Sequence, residues 1–228
     1  MESSLAEQVG TLATITTCLQ YLTGVLVCRD YIIKKSTGDA SVLTFIFGFI
    51  SSTIWLKYGL LTNERSLVVV NSIGVALMLA YTVIFYLFTT RRRDTIRITS
   101  LSFIFLCLVL LYASIEEDHL MATERVGFVG IAVSLIFFAS PLANLAHVVR
   151  VKNSESLPFS MIVSSFVVTL LWFIYGNLIG DYFIQVPNFI GCVLLVMQLL
   201  LFVVYPSKSS AHSNDGISYK PLQVLEHL

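Results

Sequence analysis

Two tryptophans and two asparagines stand out within long apolar runs, because together their side chains could hold a sugar. Trp55 and Asn71 recur as Trp172 and Asn188, each pair 117 residues apart. An Asn amide both donates and accepts, so two amides can meet several hydroxyls that would otherwise be costly to strip of water. An indole offers a broad apolar wall for the C–H face of a pyranose ring, with a polar N–H at one edge. No permanent charge is expected at their level, which argues against amino acids, phosphates and metal ions as cargo. The solutes implied are neutral sugars.

The elements that must position these four residues are duplicated with them. Trp55, Tyr58, Gly59, Asn71 and Gly74 return as Trp172, Tyr175, Gly176, Asn188 and Gly191. A membrane unit repeated with matching polar residues points to a pathway between two halves. Nearly uncharged stretches cover about 8–28, 42–61, 67–89, 98–115, 126–148, 159–180 and 183–205. Each is close to the ~20 residues that span a bilayer core as a helix. The chain is 56% hydrophobic and 12% charged, with a mean hydropathy of +0.83. A soluble domain carries about twice that share of charge. The expected fold is an all-α membrane protein of seven transmembrane helices.

Lys plus Arg balance Asp plus Glu at 14 each, so nothing in the charge favours nucleic acid. Cys18, Cys28, Cys107 and Cys192 fall in or beside the spans and read as small apolar fillers. Eleven of the fourteen basic residues fall in one set of loops and three, Lys57, Arg65 and Arg125, in the other. The positive-inside rule then places the N-terminus outside or in a lumen and the C-terminus in the cytosol. Lys57 reads as a side chain whose ammonium reaches the outer interface.

The expected organisation is three, one, three. An extracellular N-terminus (1–8) precedes a three-helix repeat (9–90), a linker helix with flanking loops (91–125), a second three-helix repeat (126–206) and a mobile cytosolic tail (207–228). The single linker span lets both triplets run in the same direction. Trp55 and Asn71 are equidistant from Asn63, as Trp172 and Asn188 are from Gly180. Eight helical residues put all four about 12 Å below the outer turns. Isolated tryptophans in membrane proteins usually belong to an interfacial belt, and isolated asparagines often join helices. Two of each at one depth favour a ligand site instead.

The residues resemble the SWEET sugar transporters, also called the saliva-type family, and the animal branch in particular. The likeness runs up to Pro206. It rests on Lys35-Ser36-Thr37-Gly38-Asp39, Trp55-Leu56-Lys57-Tyr58-Gly59 and Val70-Asn71-Ser72-Ile73-Gly74. In the second half it rests on Ala139-Ser140-Pro141-Leu142, Leu157-Pro158-Phe159, Trp172-Phe173-Ile174-Tyr175-Gly176 and Val186-Pro187-Asn188-Phe189. The resemblance implies a facilitator that moves mono- or disaccharides, glucose-like ones first, down their gradient by alternating access. It implies that Asn71, Asn188, Trp55 and Trp172 contact the sugar and that Tyr58 and Asp181 belong to an outer gate. Pro141 and Pro158 match two of four prolines that hinge an inner gate. Gly24 and Thr44 stand where the other two would be. Glycine loosens a helix without removing a backbone donor, so the first half is expected to bend less than the second.

No acidic residue lies within an expected span, which favours a uniporter over an ion-coupled carrier. No catalytic residue, metal ligand set or cofactor is expected, and no enzyme motif occurs. The expected partners are a neutral sugar and the lipid bilayer, with a homo-oligomer left open and no nucleic acid. The membrane is the plasma membrane, the Golgi membrane or both. A PQ-loop-type carrier for another small solute is the nearest alternative, although no Pro-Gln dipeptide occurs. A seven-helix receptor explains the span count but not the repeat.

Overall fold

A computed structural model describes residues 2–206, with side chains described except at 2–3 and 139–141. The tail 207–228, expected to be mobile and cytosolic, lies outside the described residues. Among the described residues eight helices follow in order: α1 Glu2–Lys34, α2 Leu43–Thr62, α3 Arg65–Phe88, α4 Arg92–Ile115, α5 His119–Phe137, α6 Ala139–Val151, α7 Phe159–Ile179 and α8 Tyr182–Val204. Seven segments among the described residues are long and apolar enough to cross a membrane, and the fifth combines α5 and α6.

Apolar solvent forces the backbone to satisfy itself, which makes each run a helix. Many hydroxyls do the same: Thr11, Thr53, Ser72, Thr82 and Ser114 all donate to the carbonyl four residues back. The second helix of each repeat ends alike, on Asn63 (φ 57°) and Gly180 (φ 71°) in the left-handed region. Lys35 (φ 53°) and Lys152 (φ 54°) form a second matched pair, just past α1 and α6.

Each triplet packs in the order first, third, second. Helix α1 packs on α3 and α3 on α2; α5 and α6 pack on α8 and α8 on α7. The halves meet along two equivalent seams, α1 on α7 and α5 on α2, while α4 leans on α2 and α5 and covers the second seam. Glycines set these close approaches. A Cβ on Gly74 would stand 2.5 Å from Ser52 Oγ and 3.0 Å from Tyr21 Oη; one on Gly191 would stand 2.7 Å from Thr169 Cγ2 and 3.1 Å from Phe138 Cζ. Every member of the second group lies 117 residues from its counterpart in the first. Each triplet is therefore pinned where its three helices converge on the glycine one turn beyond the Asn.

Two features depart from the sequence expectations. Helix α1 begins at Glu2, so residues assigned to a separate N-terminus continue the helix about two turns before the apolar run. Span 5, expected as one helix, breaks at Phe138. Pro141 has no N–H for the Phe137 carbonyl, and the Phe138 N–H turns to Leu135 O at 3.1 Å.

Candidate functional site

Both tryptophans donate across the seams. Trp172 is 8% exposed, and its Nε1 lies 2.9 Å from Thr17 Oγ1. Trp55 is half-buried, and its Nε1 lies 3.4 Å from Ser134 Oγ. Thr17 and Ser134 are themselves 117 residues apart, so the two bonds are copies with the halves exchanged. Gly130 of α5 faces the Trp55 indole; a Cβ there would come within 3.2 Å of Cζ2.

The amides sit on the third helices. Asn71 is buried and donates from Nδ2 to Leu67 O at 2.9 Å. Asn188 is half-buried and donates to Ile184 O at 2.7 Å, directly after Pro187 inside α8. They are not hydrogen-bonded to each other or to the indoles. Each is aimed by its own helix, with one N–H occupied.

One turn beyond each indole toward the carboxylate end of the bundle comes a tyrosine, stacked edge-on at 5.5 Å for Trp55–Tyr58 and 5.6 Å for Trp172–Tyr175. Tyr58 Oη donates to Asp181 Oδ2 at 2.8 Å, joining the expected gate residues across the halves. Asp181 also caps α8, accepting from the backbone of Phe183 at 2.8 Å and Ile184 at 3.2 Å. Tyr175 Oη donates to Glu64 Oε2 at 2.5 Å. Sequence reasoning did not assign Glu64 and Tyr175 to a gate, although a shift of the Tyr58–Asp181 pair by the repeat offset finds both.

At the opposite, basic end the described hydrogen bonds and ion pairs stay within a half or reach its linker. The Ser154 N–H reaches Tyr205 O at 3.1 Å, and Arg91 lies 3.7 Å from Asp39. The crossing bond nearest that end joins Gln20 Nε2 to Ser165 Oγ at 2.8 Å, on the α1–α7 seam. It has no copy, since the matching positions are Phe137 and Gly48.

The four positions expected to be hinges are unlike one another. Pro141 lies in α6, its side chain outside those described; Pro158 is the N-cap of α7. Thr44 is exposed at the second residue of α2. Gly24 lies within the unbroken α1, and the Tyr81 ring fills the space a Cβ would need. The Tyr81 hydroxyl donates to Tyr21 O at 3.1 Å, so α1 is propped from α3 where its counterpart breaks. Among the described residues no cluster of His, Cys, Asp and Glu is placed to hold a metal ion.

Two like-built triplets of apolar helices, seamed by aromatic and carboxylate side chains, define a multi-pass integral membrane protein made by duplication. A family model described as "sugar efflux transporter for intercellular exchange" matches the chain twice, over residues 7–93 and 124–210. The chain is 48% identical over 222 residues to "Sugar transporter SWEET1" of Drosophila pseudoobscura pseudoobscura, covering 95% of this chain and 96% of that one. It is 30% identical to "Sugar transporter SWEET1" of Caenorhabditis elegans over 213 residues, 90% of this chain and 68% of the other. A solved structure of a eukaryotic SWEET transporter superimposes with a TM-score of 0.81 at 30% identity, covering 88% of this chain and 96% of that one. The chain belongs to the SWEET family of sugar transporters, which are carriers and not enzymes.

Proposed function

We propose that this protein is a uniporter that carries a glucose-like mono- or disaccharide down its gradient by alternating access between its two triplets. The carboxylate end faces outside or a lumen and the basic end the cytosol, as the distribution of Lys and Arg supports. The membrane is the plasma membrane, the Golgi membrane or both. Asn71 and Asn188 each keep a carbonyl oxygen and a second N–H for sugar hydroxyls. Trp55 and Trp172 wall the ring, and the bulk of Trp55 favours monosaccharides. Tyr58 and Asp181 close the outer mouth; Pro141, Pro158, Gly24 and Thr44 mark the inner hinges.

The observation that carries this reading is the one-sided distribution of bonds across the seams. Tyrosine–carboxylate pairs bridge the halves at one end, while α6 at the other packs on α8 and α5 of its own half. That is the pattern of a carrier shut to the outside and able to part toward the cytosol. Sugar affinity is modest: a millimolar constant corresponds to about −4 kcal/mol, weak enough for rapid release.

Purified protein in liposomes, assayed for radiolabelled glucose and sucrose uptake, tests the reading. Asn71→Ala and Asn188→Ala are expected to abolish uptake with normal expression. Undiminished glucose flux in both variants removes the proposed site.

A further inference from the structure

We propose that the basic end of α4 seats the phosphate of an anionic phospholipid between Arg93 and Arg97, with the acyl chains along the same helix. The inference goes beyond sugar transport and rests on the proposed orientation only for its leaflet, the one facing the cytosol. Helix α4 leans on α2 and α5, and its buried residues, Thr95, Leu106 and Ala113, fall on one face. Arg97, Leu101, Ile104, Leu108, Leu111 and Ile115 recur at intervals of four and three residues on the opposite face. The five apolar members are 57% to 67% exposed. In a membrane span that exposure is to acyl chains.

Arg93 continues this stripe at its basic end, four residues before Arg97, and both side chains are exposed. Like charges at i and i+4 on one helix repel each other. Among the described residues no carboxylate answers them. The ion pairs at this end join Lys34 to Asp30 at 4.0 Å and Arg91 to Asp39 at 3.7 Å. Asp94 is exposed in the first turn, where it suits the helix dipole, and pairs with neither arginine. Arg92 is engaged elsewhere, its guanidinium 5.9 Å from the centre of the Tyr86 ring. An anion between the two remaining guanidiniums removes their repulsion, and the planar fork of Arg fits phosphate oxygens.

The positive charge is also one-sided. Among the described residues the basic end of the first half and its linker carries seven Lys and Arg against Asp30, Asp39 and Asp94. The same end of the second half carries Arg150 and Lys152 against Glu155. Topology calls for basic loops but not for this concentration beside one helix. A lipid held at Arg93 and Arg97 steadies the linker that covers the α2–α5 seam. The neighbouring Arg91–Asp39 pair ties the same helix end to the loop leading into α2.

Native mass spectrometry of the full chain, titrated in detergent with phosphatidylglycerol or with phosphatidylcholine of the same chains, tests this. The wild type is expected to retain phosphatidylglycerol in preference. Arg93→Gln and Arg97→Gln are each expected to weaken that binding about five-fold, and the double variant about thirty-fold, with phosphatidylcholine unchanged. A double variant Arg29→Gln, Arg150→Gln removes the same charge from two other exposed positions at this end and is expected to bind as the wild type does. An equal loss in that control, or undiminished binding without Arg93 and Arg97, overturns the site. Glycerol phosphate, which has the phosphate without the chains, is expected not to compete; competition at the lipid's own concentration would overturn a lipid site in favour of a free-phosphate one. Phosphatidylglycerol is also expected to raise the melting temperature of the wild type and not of the Arg93, Arg97 variant, and an equal rise in both overturns the proposal. Glucose uptake in phosphatidylcholine liposomes reads the sugar site separately, so either reading can fail while the other stands.

Discussion

Trp172 and Thr17 meet across the α1–α7 seam, indole Nε1 to hydroxyl Oγ1 at 2.9 Å, and the α5–α2 seam repeats the bond between Trp55 and Ser134 at 3.4 Å. The two copies are unequal in burial as well as length, because Trp172 is buried and Trp55 half-buried. Thr17→Val keeps the shape of the side chain but leaves a buried indole N–H without its acceptor, at a cost of about 1–3 kcal/mol. Ser134→Ala leaves an N–H that water can reach. The Thr17 variant is therefore expected to melt at a clearly lower temperature than the Ser134 variant in the same detergent. Equal melting temperatures would show that the buried 2.9 Å bond contributes no more than its half-exposed copy.

Gly24 gives a prediction about the propped first helix. Because the Tyr81 ring occupies the Cβ position, Gly24→Ala forces a buried aromatic to move and is expected to destabilise by about 1–3 kcal/mol. The cost should largely vanish in a Gly24→Ala, Tyr81→Leu double variant measured against Tyr81→Leu alone. A double-mutant cycle of thermal stabilities reads this coupling. Additive effects would mean that the ring does not hold α1.

Gly74 and Gly191 pin their triplets in the same way, with Ser52 Oγ and Thr169 Cγ2 inside ordinary contact distance of the missing Cβ. Alanine at either position is expected to lower folded yield and melting temperature. Gly180→Ala is expected to act differently, because nothing lies within 4 Å of its Cβ position and the penalty is the φ of 71° alone. That strain is worth about 1 kcal/mol. A larger loss at Gly180 than at Gly74 would contradict this packing account.

Uniport predicts that glucose uptake into proteoliposomes is unchanged when a protonophore collapses a pH gradient at equal sugar concentrations. The carboxylates nearest the proposed site, Glu64 and Asp181, are tied to tyrosines at the mouth and not set beside the amides. Uptake that stops with the gradient would show that a proton travels with the sugar.

The seven spans and the duplication were legible because apolar runs of membrane length and a constant offset survive without any knowledge of packing. The same offset made Trp55, Trp172, Asn71 and Asn188 visible as pairs. Glu64 was hidden because its counterpart is the shorter Asp181, so the two turns do not look alike in letters. Thr17 and Ser134 gave no signal, since most hydroxyls in these helices bond their own backbone, and Thr17 itself also donates to Ala13 O. The start of α1 was missed because Glu2 to Gln8 carry no apolar stripe. The support of Tyr81 for α1 depends on its meeting Gly24, 57 residues away in sequence on another helix, which spacing cannot reveal.

The exchange of donors and acceptors between the triplets has a consequence for assembly. A chain cut after Thr90 would still carry Tyr58 and Glu64, yet the native counterpart of each would be gone with the missing half. Both tyrosine–carboxylate bonds join one triplet to the other, so a three-helix fragment is expected to carry no sugar until its complement is co-expressed, as a split-chain uptake assay would read.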